Sequence, residues 1–146
     1  MPDLPNINDW KVIRENGPGP WGFGFRHICR DMREIGKNLF ERGLMPLKDG
    51  APGTYGNMAA RINSITNEFI MTATGSHKGR LEANDFVWVR EVNWSDGSIT
   101  VRVDSPDKMP STDVWLADGI FERFSTFFSV LDDYTVEGDL KKESEK

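Results

Sequence analysis

Apolar residues recur at helical spacing between His27 and Arg42, and charged residues fill the positions between them. This pattern places the apolar side chains on one face, so it predicts an amphipathic α-helix. Gly43 follows in the position of a left-handed C-cap, and Pro46 lies shortly beyond it. The apolar positions of the predicted helix are Ile28, Met32, Ile35, Leu39 and Phe40.

Strand patterns follow in the middle of the chain. Residues 69–73 (FIMTA) have strand character, and residues 55–62 indicate a loop that leads into a strand. Residues 86–92 are rich in β-formers, and apolar and polar residues alternate over 99–103. Because turn-forming residues occupy 93–97, these two segments predict a β-hairpin.

A second helix is predicted over about 113–124. Ser111 or Thr112 suits the N-cap, and Asp113 places an acid in the first turn, which is a typical helix start. The following segment, 125–136, is compatible with one more strand or with a short helix.

The two ends of the chain differ from its middle in composition. Residues 1–25 combine a high density of Pro and Gly with aromatic side chains, so we expect an N-terminal arm that packs on this chain or on a neighbouring one. Residues 137–146 form a charged string with almost no apolar side chains, which is typical of a flexible tail. A single domain is expected between them, over residues 26–136.

Composition and charge narrow the possible functions. With 38% hydrophobic and 28% charged residues, the chain has enough apolar material for one core. A net charge of −5 and the lack of a basic run argue against nucleic acid as a partner. No long apolar stretch or leader pattern is visible, so we expect no membrane span and a cytoplasmic location. The single Cys29 is expected to be a small buried hydrophobe in a reducing compartment.

Three short segments that are far apart in sequence carry the chemistry of an anion site. They are Gly56-Asn57, Thr74-Gly75 and Ser111-Thr112. Each offers backbone N–H groups together with a side-chain hydroxyl or amide, and the third also lies at a predicted helix start. Because such pairs are also common in ordinary turns and caps, local chemistry alone favours a structural role.

The order and spacing of these segments resemble the class II aldolase/adducin family. The resemblance rests on residues 56–61 (GNMAAR), 70–75 (IMTATG) with Leu81 beyond them, and 110–115 (PSTDVW), and it covers roughly residues 26–124. It implies an α/β fold with three layers, α/β/α, around a mixed, mainly antiparallel central sheet, here truncated. It also implies a sugar-phosphate site shared between subunits of a homo-oligomer. The phosphate contacts that it implies are Gly56, Asn57, Thr74, Gly75, Ser111 and Thr112.

The same resemblance makes Asp113 the catalytic candidate. The family's aldolases have Glu at this place as a proton-transfer group near the metal, and its epimerases have Asp there at the metal, so the branch stays open. An acid in the first turn also stabilises a helix by about 0.3–1 kcal/mol without any catalytic role.

The family's metal ligands have no counterpart in this chain. Family members bind a divalent, zinc-like metal through a His-x-His pair and a third histidine, and the metal acts as a Lewis acid. The chain has only His27 and His77, and neither matches a ligand position. We therefore expect no metal site and no cofactor in this chain alone.

Two expectations about function follow. The first is a relative of metal-dependent sugar-phosphate aldolases and epimerases that keeps a site for a small phosphorylated hydroxy-carbonyl compound. Independent lyase activity is not expected of this chain alone. The alternative is a non-catalytic anion-binding or oligomer-assembly module, or one half of a split aldolase. Because missing strands leave an unpaired edge and an apolar face, we expect a homo-oligomer or a complementary C-terminal chain to cover them. The residues expected near that surface, which alternatively close the core by themselves, are Phe121, Phe124, Phe127 and Phe128.

Overall fold

The computed structural model describes residues 9–63 and 65–131, with side chains described as far as residue 123. The strands in this part of the chain are β1 (Lys11–Arg14), β2 (Ala59–Arg61), β3 (Phe69–Thr72), β4 (Phe86–Asn93) and β5 (Ser98–Val103). The helices are α1 (Pro20–Phe23), α2 (Arg26–Glu41) and α3 (Val114–Leu131).

The described strands form one mixed, five-stranded sheet in the order β1-β5-β4-β3-β2. β1 pairs in parallel with β5, while the other neighbouring pairs are antiparallel. This confirms the predicted mixed, mainly antiparallel sheet. The predicted hairpin is β4 and β5, which are interrupted by a register shift between Val89 and Glu91.

Alternate residues of β3 contribute to different hydrophobic clusters. Phe69 and Met71 belong to a cluster that includes Val114 and Trp115 at the start of α3. Ile70 belongs to a cluster that includes Cys29 and Met32 of α2. Neighbouring side chains of a strand point to opposite faces of the sheet. Since a hydrophobic cluster covers each face, all four residues of β3 are buried.

The predicted first helix is confirmed as α2, and Gly43 ends it as expected. Gly43 has φ 74°, and the backbone N–H of Leu44 donates to the carbonyl of Leu39 at 2.9 Å.

Burial raises the pKa of the Cys29 thiol to about 12, with the charge of Asp104 acting in the same direction. Cys29 is fully buried, as its position in the apolar pattern predicted.

The buried face of α2 differs from the predicted one at Ile35, whose side chain is 53% exposed. The buried positions are Cys29, Met32 and Gly36. A Cβ at Gly36 would lie 2.3 Å from the carbonyl oxygen of Lys78. Gly36 thus lets α2 pack closely against the Lys78 backbone. With Gly36 on the buried face of the helix, the adjacent Ile35 faces solvent.

The segment before α2 is anchored through its backbone. The carboxylate of Asp104 accepts the N–H groups of Gly19, Trp21 and Gly22, each at 3.0 Å. A carboxylate at the start of a short helix also complements its free N–H groups. The side chain of Asp104, the residue that follows β5, therefore holds the α1 segment in place.

α3 begins at Val114 and continues to Leu131, so Asp113 directly precedes the helix and does not, as was predicted, lie in its first turn. Residues 125–131 are thus helical, which was one of the two alternatives. The ring of Phe121 lies 5.1 Å from that of Phe69, so this side chain packs on the core. The side chains of Phe124, Phe127 and Phe128, and the tail 137–146, lie outside the described part. In the described residues, every helix is too short or too polar to cross a membrane.

Asp118 connects α3 to two other parts of the chain. Its side chain accepts hydrogen bonds from Asn67 Nδ2 at 2.9 Å and from Trp94 Nε1 at 2.7 Å. Burial raises the pKa of the Asp118 carboxyl, the Trp94 hydrogen bond lowers it, and nearby Glu122 raises it. The net direction is upward, so folding favours the protonated form.

We predict that Asp118→Asn changes the pH dependence of stability. The folded chain binds this proton more tightly than the unfolded chain, so protonated Asp118 stabilises the fold at low pH. This contribution is lost as the pH rises from 3.8, the ordinary pKa of an Asp carboxyl, to above the raised pKa of the folded chain. The wild-type minus Asp118→Asn difference in unfolding free energy should therefore fall with rising pH. Urea unfolding at several pH values measures it. The exposed Asp31→Asn is the control, and a difference that stays flat or rises contradicts the prediction.

Candidate functional site

The side-chain amide of Asn57 joins two of the three predicted segments. Its Nδ2 donates to Ser111 Oγ at 3.1 Å and to Asp113 Oδ2 at 2.7 Å. Ser111 Oγ also accepts the backbone N–H of Asp113 at 3.2 Å, a local side-chain-to-backbone bond of the turn that precedes α3. One amide group thus holds the loop before β2 against the start of α3.

Thr72, which sequence reasoning missed, ties Asn57 to the end of β3. Its hydroxyl accepts the backbone N–H of Met58 at 3.2 Å and lies 3.5 Å from Asn57 Oδ1, to which it donates. Thr72 is fully buried. The available signal was a hydroxyl at the end of an otherwise apolar strand, since a buried hydroxyl needs a hydrogen-bonding partner.

The turn that follows β3 brings Thr74 and Gly75 beside the same helix start. The backbone N–H of Thr74 donates to the carbonyl of Met109 at 2.8 Å, and Ala73 forms a β-bridge with Pro110. Gly75 has φ 76°, a conformation that side chains rarely adopt. Its N–H has no acceptor among the described residues.

The loop before β2 also packs directly on this turn. Thr54 donates its backbone N–H to the carbonyl of Ser76 at 3.1 Å. A Cβ at Gly53 would lie 2.3 Å from the carbonyl oxygen of Gly75, so the two backbone segments are too close for any side chain at position 53. The structure therefore brings all three predicted segments together.

The assembled site, which we call the Asn57 cradle, is open to solvent. It comprises the predicted residues Gly56, Asn57, Thr74, Gly75, Ser111, Thr112 and Asp113. Asn57 and Ser111 are half-buried, and the others are exposed. Asn57 and Asp113 also line an adjoining cavity of about 290 Å³. The remaining lining residues are apolar: Met58, Ala59, Met71, Leu116, Ala117, Ile120 and Phe121.

The histidines do not contribute to this cradle. His27 is exposed in the first turn of α2. The ring of His77 lies 4.7 Å from that of Phe40, and its Nδ1 accepts the backbone N–H of Gly79. Among the residues that the structure describes, no group of three or more His, Cys, Asp or Glu side chains is placed to hold a metal ion. The described residues alone therefore do not fit a divalent metal.

Comparison with known proteins gives a family and two relatives. Residues 30–116 match the family described as Class II Aldolase and Adducin N-terminal domain. A methylthioribulose-1-phosphate dehydratase of Acidiphilium cryptum (strain JF-5) is 30% identical over 120 residues, which are 82% of this chain and 49% of that protein. A protein of the same name from Exiguobacterium sibiricum is 48% identical over 42 residues, 29% of this chain and 20% of that protein. The chain thus spans about half the length of the first relative, and no solved structure gives a significant match.

We predict that Gly53→Ala destabilises the fold by about 1–3 kcal/mol, because the added methyl group meets the Gly75 backbone and not a flexible side chain. Urea unfolding measures the loss. Gly119→Ala in α3 is the matched control, since a Cβ there meets nothing within 4 Å. The control should be about 1 kcal/mol more stable than wild type, as expected for Ala in a helix. Equal stability of Gly53→Ala and wild type would contradict the close backbone approach.

Proposed function

The chain belongs to the class II aldolase and adducin family, and we propose that its Asn57 cradle binds the phosphate group of a small phosphorylated hydroxy-carbonyl compound. The observation that carries the proposal is the pair of hydrogen bonds from Asn57 Nδ2 to Ser111 Oγ and Asp113 Oδ2. They join two predicted phosphate contacts, Asn57 and Ser111, to the predicted catalytic residue, Asp113. An anion is best held by converging N–H and O–H donors of this kind.

Each segment contributes a donor in this proposal. The Gly75 N–H has no acceptor among the described residues, so it is available to a phosphate oxygen. The hydroxyls of Thr74, Ser111 and Thr112 add further donors. Gly56 lets the backbone before Asn57 lie close to the ligand, because it has no side chain.

The two hydrogen bonds of Asn57 Nδ2 suggest how a phosphorylated ligand is oriented. An amide nitrogen has two N–H groups, and here they point to Ser111 and Asp113. A phosphate oxygen that replaces either acceptor takes over one of these hydrogen bonds. Because phosphate and carboxylate repel each other, we assign the phosphate to the Ser111 side and the carbon chain of the ligand to the Asp113 side.

The neighbouring cavity suggests the nature of that carbon chain. Most of its lining is apolar, and its polar members, Asn57 and Asp113, are also cradle residues. The relatives are named for methylthioribulose-1-phosphate, which combines a phosphate with an apolar methylthio group. We assign such a phosphorylated ketose to the site, with its phosphate in the cradle and its apolar end in the cavity.

Proton transfer is the chemical role that we assign to Asp113. Loss of water next to a carbonyl, as in a dehydratase, begins with removal of a proton from carbon, and a carboxylate is a suitable base. A divalent metal, when bound, stabilises the resulting negative charge in this family. The described residues do not fit a metal, so this proposal assigns no step to one. We also propose that the fold has three layers, that the protein is an oligomer and that it is cytoplasmic.

A non-catalytic binding or assembly module is the second candidate. It is favoured by Leu116 and Ile120, which line the cavity and are 64% and 55% exposed. Exposed apolar side chains on one helix face are typical of a surface that contacts another chain. This candidate keeps the anion site and omits the role of Asp113 as a base.

We predict that Asn57→Ala and Ser111→Ala each weaken binding of ribulose 1-phosphate or inorganic phosphate about tenfold or more, since a hydrogen bond to a charged group contributes about 1.5–3 kcal/mol. Calorimetric titration measures the affinity. Asn38→Ala on the exposed face of α2 is the control and should bind like wild type. An affinity within twofold of wild type in both cradle variants would rule out the assigned site.

Asp113→Asn is expected to bind inorganic phosphate about threefold to tenfold more tightly than wild type, because the substitution removes a negative charge beside the anion. The gain should shrink at high salt, where exposed charges are screened. The same titration at low and high sodium chloride measures both effects. Weaker binding by Asp113→Asn would show that the carboxylate holds the ligand and does not repel it.

A further inference from the structure

Lys78 is a buried cation that lies three residues after Gly75. Its side chain is 2% exposed, yet it bears an ammonium group. The Nζ atom donates to the carbonyl of Ser76 at 2.9 Å and to the carbonyl of Thr54 at 3.2 Å. Burial of such a group opposes folding unless its N–H donors find acceptors, and here they find two.

The two acceptors belong to different parts of the site. Ser76 closes the turn that carries Thr74 and Gly75, while Thr54 lies in the loop that leads to Asn57. The backbone N–H of Lys78 adds a third hydrogen bond, to Thr54 Oγ1 at 3.0 Å. Lys78 thus bridges two of the three segments, and neither Thr54 nor Ser76, its hydrogen-bond acceptors, is a residue that we assign to the ligand.

Helix α2 closes the space around this lysine. Gly36 packs against the Lys78 carbonyl, where a Cβ would be only 2.3 Å away. A Cβ at Gly79 would lie 2.5 Å from the ring of Phe40. Helix α2 thus packs against the backbone on both sides of the Lys78–Gly79 bond, and Lys78 is only 2% exposed.

The charges around Lys78 act in both directions. Burial lowers the pKa of the ammonium, and Lys48 lowers it further, while Asp85 and Asp113 raise it. Asp113 is itself a cradle residue, so a charge of the cradle acts on the buried ammonium. A neutral apolar side chain of similar length would fill the same volume and give neither the hydrogen bonds nor this charge.

We propose that Lys78 is a positioning residue for the Asn57 cradle: its ammonium holds the carbonyls of Thr54 and Ser76 together and so sets the distance between the Asn57 loop and the Gly75 turn. The inference rests on the proposed anion site. It adds a residue that contacts no ligand and on which the ligand affinity depends. The hydrogen bond from the Thr54 N–H to the Ser76 carbonyl reports directly on this distance.

The test compares wild type, Lys78→Met and the control Lys37→Met, which makes the same substitution at an exposed position of α2. Amide hydrogen exchange by NMR follows the Thr54 N–H and, as a reference for the whole fold, the amides of β4. Titration with inorganic phosphate measures the affinity of the cradle. For Lys78→Met we expect about tenfold faster exchange at Thr54 and about tenfold weaker phosphate binding, as the loss of charged hydrogen bonds predicts. The β4 amides should exchange as in wild type.

Two results would overturn the inference. One is Thr54 exchange and phosphate affinity in Lys78→Met that match those of Lys37→Met. The other is an equal acceleration at Thr54 and in β4, because Lys78 would then act on global stability and not on the spacing of the two segments. If wild type itself binds no phosphate, the proposed function fails, and Thr54 exchange alone decides whether Lys78 joins the segments.

Discussion

Burial of β3 on both faces is the constraint on which the site depends. Its four residues are enclosed between the clusters that α2 and α3 contribute to, so the strand cannot shift without exposing apolar surface. The residue that ends it, Thr72, contacts Met58 and Asn57, and the next residues form the turn with Gly75. Since β3 fixes where this turn emerges, the core determines the positions of the cradle groups.

Much of this cradle was predictable because each segment carries its own local chemistry. Glycine next to an amide or hydroxyl, and a hydroxyl at a helix start, are visible without a structure. The contacts were not, since Asn57 reaches Ser111 and Asp113 across 54 and 56 residues, and such distances depend on the strand register. Lys78 was missed for a related reason: a lysine in a polar turn gives no sign of burial until its carbonyl acceptors are known.

The fold shows the same division between local and distant determinants. The hairpin and α2 follow from periodicity and turn residues, which act over a few positions. The orientation of α2 does not, because Gly36 has no side chain to enter an apolar pattern, yet its contact with the Lys78 backbone turns Ile35 outward. Strand β1 likewise gives little signal, since its exposed residues pair in parallel with a strand far away in sequence.

The position of Cys29 on the buried face of α2 has a practical consequence. A thiol that is enclosed, and held protonated by a pKa of about 12, does not react with alkylating reagents while the helix is docked. The chain has one cysteine, so labelling of the folded chain reports opening of the N-terminal part of α2. The rate of labelling therefore measures how often this part of α2, the helix that packs against the Lys78 backbone, opens.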